Sequence, residues 1–435
     1  MIEWIILVLG LISYYLYFWK IHAIKTFKAT NNLRNKSNLT QRTKDLPPVY
    51  PNGWFALLHS CELGKGQVKY ISALGEHFAV FRTESGIVNI INAYCPHLGA
   101  NLGIGGKVKG DCLECPFHSW TFNGDGQCQS IPYSSRALSG IKTKNWICRE
   151  VNKEIFIWYH AESMDPYWEI EAIPEIDNGK WIYQGQNEYF VNCHIQEIPE
   201  NGSDWTHLDA VHVPAMFCEN LSPSILHHSW TGSGWCPPES IDVDQDHKYS
   251  ENDKVKINSG IQNGNTTKMN LKSIENSLGN TEKIEIEDRR KIPVKNQKHL
   301  ATFHLIHNIK LFNKFSFLRL EVNGVQIGPG YVLMNIKTSF GPICILQTVT
   351  PVEPLLQRVT HLVYSPFFNS PLTKIVFYGM ENMFERDVLV WDHKIYLKNP
   401  ILVKEERRIA TFRRWYSQFY STNSPTHKSL TSLDW

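Results

Sequence analysis

The sequence predicts an α+β protein with an N-terminal transmembrane helix, a small all-β domain and a larger domain of antiparallel sheet and helices. Three observations predict this class. An apolar run occupies residues 4–19, short alternating runs separated by turn signals fill residues 51–160, and longer strand-like runs precede a helical pattern that begins at Pro371. The 435 residues are enough for two domains, and a formal charge of +2 does not indicate nucleic-acid binding.

Residues 1–22 are the predicted membrane anchor. The apolar run reads WIILVLGLISYYLYFW, which with Ile2 and Ile21 approaches the roughly 20 residues that span a bilayer. A signal peptide would begin with basic residues, whereas this chain begins with Glu3, and no small-residue cleavage site follows. A helix buried in a soluble core is the alternative. The basic residues that follow the run are Lys20, Lys25, Lys28, Arg34 and Lys36. By the positive-inside bias, the rest of the chain is expected in the cytoplasm, with the endoplasmic reticulum as the membrane.

Residues 23–50 are predicted to be a linker, because they are polar and end in the turn-forming sequence LPP. Residues 51–165 are predicted to form the small all-β domain. Within it, residues 78–82 and 87–92 flank the turn sequence TESG, which indicates a β-hairpin, and residues 155–159 indicate a further strand.

Two cysteine–histidine pairs in this domain have the spacing of a mixed-ligand iron–sulfur cluster. Cys95 and His97 form C-x-H, and Cys115 and His118 form C-x-x-H. A Rieske [2Fe–2S] cluster takes two thiolates on one iron and two imidazoles on the other. Zinc is the alternative, because Cys112 forms C-x-x-C with Cys115, but such a site would need a second close pair, and only the tight C-x-H pair is nearby. The pattern therefore predicts an electron-carrying cluster.

The segment resembles Rieske domains. Gly99 and Gly103 lie among the ligand residues, where glycines allow turns that bring backbone N–H groups near the cluster sulfurs. Rieske proteins of respiratory chains carry an additional cysteine in each ligand loop, and the two form a disulfide. Ala100 and Phe117 occupy those places here. The resemblance therefore implies the oxygenase branch of the family.

Residues 166–435 are predicted to form the larger domain. A polar insertion is expected at about 237–298, because that stretch is rich in Asn, Lys, Ser, Asp and Glu and cannot bury a core of its own. The helical tail is indicated by the spacing of Met380, Met383 and Phe384. The strand-like runs are residues 300–306, 317–326, 331–338 and 343–350.

His207 and His212 are candidate ligands of a second metal. Non-haem Fe(II) sites use two histidines and one carboxylate, and they leave positions open for O2 and substrate. Histidines five residues apart lie about 140° apart around an ideal helix. Both rings can reach one metal only if the helix is distorted, for example by a π-type turn. Such spacing also occurs in histidines on a helix surface, so it indicates a metal site only beside the upstream cluster motif.

The pattern D-x-x-H-x-x-x-x-H, made by Asp204, His207 and His212, resembles the catalytic subunits of Rieske oxygenases. With the preceding sequence ENG at 200–202 and the N-terminal apolar run, the chain resembles the Neverland family of cholesterol 7-desaturases, which are distant relatives of bacterial 3-ketosteroid 9α-hydroxylases. The resemblance implies a helix-grip catalytic domain, with His207 and His212 as iron ligands.

The resemblance also implies a third iron ligand and a relay. In the family, the ligand aspartate precedes a tryptophan by four residues, which corresponds to Asp387; Glu385 and Asp392 are the alternatives. An acid at the position of Asp204 links a cluster histidine of one subunit to an iron histidine of the next. Asp209 is the rival for that role, and it is expected on the outer face of the helix.

Cofactors and partners follow from these sites. Activation of O2 at Fe(II) takes two electrons, and a Rieske cluster supplies one at a time. No G-x-G-x-x-G motif stands between a predicted strand and helix, so NAD(P)H is expected to act through a partner reductase. The resemblance implies a head-to-tail homotrimer and a sterol substrate, with cholesterol losing hydrogens at carbons 7 and 8. The alternatives are hydroxylation of a steroid or another lipid, or a membrane-anchored Rieske protein that only transfers electrons; the second iron site discriminates between these classes.

Overall fold

The computed structural model describes residues 2–26, 42, 44–134, 140–212, 225–238, 297–312 and 314–431. Most of the predicted insertion at 237–298 lies outside these residues. The described part combines a small β domain with a larger domain that is mostly sheet with helices.

The N-terminal segment forms one helix and one strand, α1 (Ile2–Phe18) and β1 (Ile21–Thr26). In the described part of the chain, no helix is both long and apolar enough to cross a membrane, so the transmembrane helix predicted for residues 1–22 is not found. Helix α1 ends after 17 residues, and the chain then enters a sheet of the larger domain. Residues 21–26, which were predicted to end the anchor and begin the linker, therefore form strand β1.

The small β domain contains three sheets, with strand orders β10-β5-β4-β3, β11-β12-β2 and β6-β7-β8-β9. Its strands are β2 (Gly53–His59), β3 (Val68–Ala73), β4 (Glu76–Arg82), β5 (Val88–Asn92), β6 (Lys107–Lys109), β7 (Cys112–Glu114), β8 (Thr121–Phe122), β9 (Cys128–Ser130), β10 (Asn145–Trp146), β11 (Cys148–Val151) and β12 (Glu154–Tyr159). The predicted hairpin is confirmed as β4 and β5, and the strand predicted at 155–159 is β12.

Strand β4 is buried on both faces, which explains its run of apolar residues. Phe78 and Val80 point into a core shared with the larger domain, while Ala79 and Phe81 point into a core around the cluster cysteines. Successive side chains of a strand alternate between faces, so one strand can join the two cores.

The larger domain is built on an eight-stranded sheet with the order β1-β13-β19-β18-β17-β16-β15-β14. Its elements are α2 (Pro174–Asp177), β13 (Ile182–Val191), α3 (Glu197–Glu200), α4 (Thr206–Val211), β14 (Leu226–Cys236), β15 (Leu300–Leu311), β16 (Phe315–Ile327), β17 (Tyr331–Thr338), β18 (Gly341–Glu353), β19 (Leu356–Ser365), α5 (Ser370–His393), α6 (Arg407–Tyr416) and α7 (His427–Thr431). Short 3₁₀ turns occupy Ser60–Glu62, Asn201–Ser203, Phe367–Asn369, Lys404–Glu406 and Ser417–Phe419.

Helix α5 is the long helix predicted from Pro371, and it packs against the sheet. Val376 and Phe377 lie in one core with Ile309, Ile336 and Ile345 from three strands. Burying each such side chain stabilises the fold by about 1.5–3 kcal/mol. The four strand-like runs predicted after residue 300 correspond to β15–β18, so the helix and the sheet beneath it both follow from sequence pattern.

Strand β1 is the parallel partner of β13, and the other neighbours in this sheet pair antiparallel. Its register places Ile21 opposite Gly185, where a Cβ atom would lie 2.4 Å from the Ile21 carbonyl oxygen. The glycine therefore permits the close approach of β1. Just before this strand, Lys374 of α5 donates a hydrogen bond to the Leu16 carbonyl, and the Phe18 ring lies 5.6 Å from that of Phe367.

The two domains share a continuous core. Phe55 and Ile157 of the β domain are buried together with Val359 of β19 and Trp391 of α5. At the same interface, Arg358 Nη2 donates to the carbonyls of residues 56 and 57 at 2.9 and 2.8 Å. The apolar contact and these hydrogen bonds hold the cluster-bearing domain against the sheet that carries the second site.

Candidate metal centres

The two loops that carry the cysteine–histidine pairs share one local plan. Cys95 N donates to the Ala100 carbonyl at 2.9 Å, and Cys115 N donates to the Trp120 carbonyl at 2.7 Å. Each loop thus closes on the carbonyl five residues after its cysteine. The two ligand residues of each loop are thereby held by equivalent backbone turns.

Each loop also has a left-handed residue just before that closing carbonyl. Its φ is 72° at Gly99 and 57° at Ser119. Glycine adopts this conformation freely, whereas serine does so at a steric cost. In both loops the amide of the left-handed residue donates to the carbonyl of the loop's cysteine, at 2.9 Å for Gly99 and 3.1 Å for Ser119.

The predicted cluster ligands of the two loops meet as a pair of cysteines and a pair of histidines. Cys95 and Cys115 are buried, and the rings of His97 and His118 lie 4.7 Å apart between centroids at an angle of 70°. Burial raises the pKa of Cys95 to about 11, and the neighbouring Cys115 adds to that shift. His118 Nδ1 is buried without a hydrogen-bond partner among the described residues. Two buried thiols and an unpaired imidazole nitrogen fit a positively charged cluster that bonds to them as thiolates and neutral rings.

The zinc alternative through Cys112 has no such support. Cys112 lies in β7, half-buried, outside the core that encloses Cys95 and Cys115.

Asp204 organises the start of helix α4 and orients the first histidine of the second site. Its Oδ1 accepts hydrogen bonds from Thr206 N at 3.1 Å, Thr206 Oγ1 at 2.9 Å and His207 N at 3.3 Å. Its backbone carbonyl lies 2.6 Å from His207 Nδ1, which donates to it. With the proton on Nδ1, the Nε2 lone pair of His207 is available to a metal.

His212 reaches the same point because helix α4 ends there. It occupies the C-cap position, with φ −105° and ψ −2°, and its N–H donates to the Leu208 carbonyl at 3.1 Å. The departure from ideal helix geometry required by the five-residue spacing is therefore supplied by helix termination. The two rings are therefore brought together without a π-type turn.

Asp387 completes the group from helix α5. Its Oδ2 lies 3.4 Å from His212 Nε2, and one ligand atom from each of His207, His212 and Asp387 lies within 4.8 Å of the others. His212 is buried, and its Nδ1 has no partner among the described residues. Two imidazoles and one carboxylate are the donor set of non-haem Fe(II) sites that retain open positions, so these residues fit that metal.

The acids that were alternatives for the third ligand and for the relay lie elsewhere or have other partners. Asp392 accepts a hydrogen bond from Asn192 N at 2.8 Å, and burial raises its pKa. Glu385 is not a member of the three-residue group. Asp209 is exposed on the outer side of α4, where it was expected. The geometry therefore favours Asp387.

Two other polar features near these residues were not predicted from the sequence. Arg413 of α6 binds Glu200 through two hydrogen bonds, at 2.6 and 2.9 Å, just before the segment that carries His207. His228 and His307 are buried on adjacent strands. Each histidine stands in a strand of mixed polar and apolar residues, so the sequence carries no signal that sets either of them apart.

Comparison with known proteins agrees with this geometry. Residues 53–146 match the Rieske [2Fe-2S] domain, and residues 157–420 match the C-terminal domain of 3-ketosteroid 9α-hydroxylase. The fold and the two sites define a Rieske-type oxygenase, and an electron carrier alone would not account for the second match. The chain is 43% identical to cholesterol 7-desaturase nvd 1 of Ciona intestinalis, over 92% of this chain and 76% of that protein. It is 40% identical to cholesterol 7-desaturase nvd of Drosophila melanogaster, over 91% and 81%. The chain therefore belongs to the cholesterol 7-desaturase family.

More distant relatives share the architecture. The oxygenase component of the 3-ketosteroid-9-alpha-monooxygenase of Rhodococcus rhodochrous is 24% identical over 86% of this chain and 85% of that protein. Among solved structures, dicamba monooxygenase bound to dicamba superposes with a TM-score of 0.55 at 14% identity, covering 85% of this chain and 97% of that one. At this identity the likeness establishes the fold alone.

Proposed function

We propose that this enzyme desaturates cholesterol to 7-dehydrocholesterol. The balanced reaction consumes cholesterol, O2, NAD(P)H and a proton, and it yields 7-dehydrocholesterol, NAD(P)+ and two water molecules. The observation that carries the proposal is the group of His207, His212 and Asp387, in a chain whose other domain presents the four Rieske ligands. The relatives named cholesterol 7-desaturase support the choice of substrate.

The residues of this chain prepare the iron site. Iron bound there supplies the activation of O2 for attack on a C–H bond. His207 is held in one tautomer by the Asp204 carbonyl, and His212 is fixed at the end of α4. Asp387 approaches from α5, so the ligand set depends on the docking of α5 against the segment that contains α4. Arg386 supports this docking by donating to the Val211 carbonyl at 3.5 Å.

Electrons are proposed to enter from NAD(P)H through a separate reductase and to cross between subunits of a head-to-tail homotrimer. Two features support this arrangement. Leu98 and Phe117, beside the cluster histidines, are 64% and 62% exposed, and exposed apolar residues of this size suit a protein contact. Asp204 is half-buried, and a neighbouring subunit's cluster histidine is proposed to bind its carboxylate.

We also propose that the enzyme works at the endoplasmic reticulum membrane with both domains in the cytoplasm. The support is the set of exposed apolar side chains on α1, among them Trp4, Leu11 and Tyr15, followed in sequence by several basic residues. Cell fractionation at physiological pH and salt tests the association. Recovery of the full-length chain only in the soluble fraction would contradict it.

Hydroxylation of a steroid is the second candidate, and the match of residues 157–420 to the 3-ketosteroid 9α-hydroxylase domain favours it. Desaturation and hydroxylation begin with the same hydrogen abstraction and differ in whether a second hydrogen leaves the substrate. The reaction products therefore separate the two.

The test supplies the full-length chain with cholesterol, NADPH and a reductase, followed by mass spectrometry of the extracted sterols. A product two mass units lighter supports desaturation, and one sixteen units heavier supports hydroxylation. The His207→Ala variant is the control, since it removes one iron ligand and leaves the cluster loops unchanged. A product formed equally by this variant would refute the role of the second site.

A further inference from the structure

Two buried histidines face each other on the strands beside the iron site. His228 lies on β14 and His307 on β15, and the two are 3% and 2% exposed. His228 Nδ1 lies 2.8 Å from His307 Nε2, so one proton is shared between the two rings. Trp230 stacks on His307 with ring centroids 3.7 Å apart at 13°, which fixes the plane of that ring.

The pair lies in the electrostatic reach of the iron site. Burial is the main cause of a lowered pKa at both histidines. The charges of His227 and of Arg386, which is adjacent to Asp387 in sequence, also lower the pKa of His228. Strand β14 also packs against helix α4, which carries His207 and ends next to His212, so His228 lies on the strand beside the helix of the iron site.

One nitrogen of the pair is unused. His228 Nε2 is buried and has no hydrogen-bond partner among the described residues. A buried polar atom without a partner costs roughly 1–3 kcal/mol, so a pair retained only for folding would be expected to satisfy it. An unsatisfied, buried nitrogen beside the iron site is instead suited to a polar group of the substrate.

The chemistry of the pair selects the kind of group. The pKa of His228 is lowered to about 4, so both rings are neutral near pH 7. If the shared proton is on His228, its Nε2 is an acceptor; if the proton is on His307, Nε2 of His228 is a donor. A hydroxyl can donate a hydrogen bond to Nε2 in the first state and accept one from it in the second. A ketone can only accept a hydrogen bond, and a hydrocarbon can neither donate nor accept one.

We propose that Nε2 of His228, held by His307, binds the hydroxyl group of the sterol substrate. This inference rests on the proposed function, because it assumes that a sterol is the substrate of the iron site. Cholesterol carries a single hydroxyl, at one end of its ring system. Anchoring that end would set which ring carbons face His207, His212 and Asp387, and would favour 3-hydroxysterols over their 3-deoxy forms.

Two substitutions of His228 test the roles of its two ring nitrogens separately. In His228→Asn, the shorter amide keeps a polar atom toward His307 and removes the one at Nε2. In His228→Gln, the longer amide places a polar atom near the position of Nε2. His227→Asn is the matched control, because adjacent residues of a strand face opposite sides and His227 is outside the pair.

The measurement is equilibrium binding of cholesterol and of its 3-deoxy analogue, cholest-5-ene, to the full chain with both metals loaded. The wild type is expected to bind cholesterol about tenfold more tightly than the analogue, as one hydrogen bond in a buried site would give. His228→Asn should lose this preference, while His228→Gln and His227→Asn should keep most of it. Visible circular dichroism of the cluster and iron content verify that each variant is folded.

The inference would be overturned if His228→Asn kept the preference for cholesterol over cholest-5-ene. It would also be overturned if all three variants lost that preference. The product assay separates this result from failure of the proposed function. A wild type that forms the desaturated sterol, with an unchanged preference in His228→Asn, retains the function and loses the anchor. A wild type that binds cholesterol through His228 but forms no product two mass units lighter retains the anchor and loses the desaturase assignment.

Discussion

The substitution Asp204→Asn isolates the charge of Asp204 from its structural role. The side chain accepts three hydrogen bonds at the start of α4, all on Oδ1. Asparagine retains a carbonyl oxygen there, so it can accept the same bonds. The contact that orients His207 is made by the Asp204 backbone carbonyl, which the substitution does not touch.

The expected magnitudes differ for folding and for electron transfer. Removing such a helix-start acceptor by Asp204→Ala is expected to cost about 1 kcal/mol of unfolding free energy, whereas asparagine is about as good a cap as aspartate. Both metals should remain bound in Asp204→Asn. If Asp204 links a cluster histidine to an iron histidine, as proposed, removal of its charge is expected to slow turnover by roughly 10–100-fold.

The assay is rapid mixing of the reduced, substrate-bound enzyme with O2, in which the cluster absorption reports electron transfer. Metal analysis and thermal unfolding are measured on the same samples. Asp209→Asn is the matched control, because that acid is exposed on the outer side of the helix. Cluster reoxidation in Asp204→Asn at the wild-type rate would refute the relay.

Three further predictions concern single side chains. Asp387→Ala should lose the mononuclear iron while the cluster spectrum is unchanged, and Glu385→Ala should retain it; the opposite pattern in metal analysis would reassign the ligand. Burial raises the pKa of Glu154 to about 8, above its unfolded value, so protonated Glu154 stabilises the fold at low pH and stability falls as pH rises from about 4.5 to 8. Glu154→Gln should reduce that fall, and a denaturation series from pH 5 to 8 with the wild-type slope would contradict it. Arg413→Ala should lower the unfolding free energy by about 3–5 kcal/mol, because Glu200 would lose its charged partner. An unchanged denaturation midpoint would contradict this prediction.

Some of the site could be predicted because its signals are local. Each pair of cluster ligands lies within one short loop, so spacing alone identified Cys95, His97, Cys115 and His118. His207 and the residues around it form a second local motif. Strand alternation and helical spacing located β4, β5, β15–β18 and α5 for the same reason, since each pattern depends on neighbouring residues only.

The N-terminal segment shows where local reasoning fails. An apolar run of this length is compatible with a membrane anchor, with a buried helix or with a packed surface helix. The structure ends α1 at Phe18 and pairs the next residues with β13, at a glycine that admits the approaching strand. Pairing partners separated by more than 150 residues leave no mark on the sequence of either partner alone.

The sequence by itself predicted the cluster ligands, the order of the domains and the two histidines of the iron site. Only the tertiary structure showed that Asp387 lies beside the two histidines, how a five-residue spacing brings two rings together, and that His228 meets His307 across two strands. The physical reason is the same in each case. Ligand type and local spacing are properties of the chain, whereas convergence depends on where helices end, on strand register and on how α5 packs against the sheet.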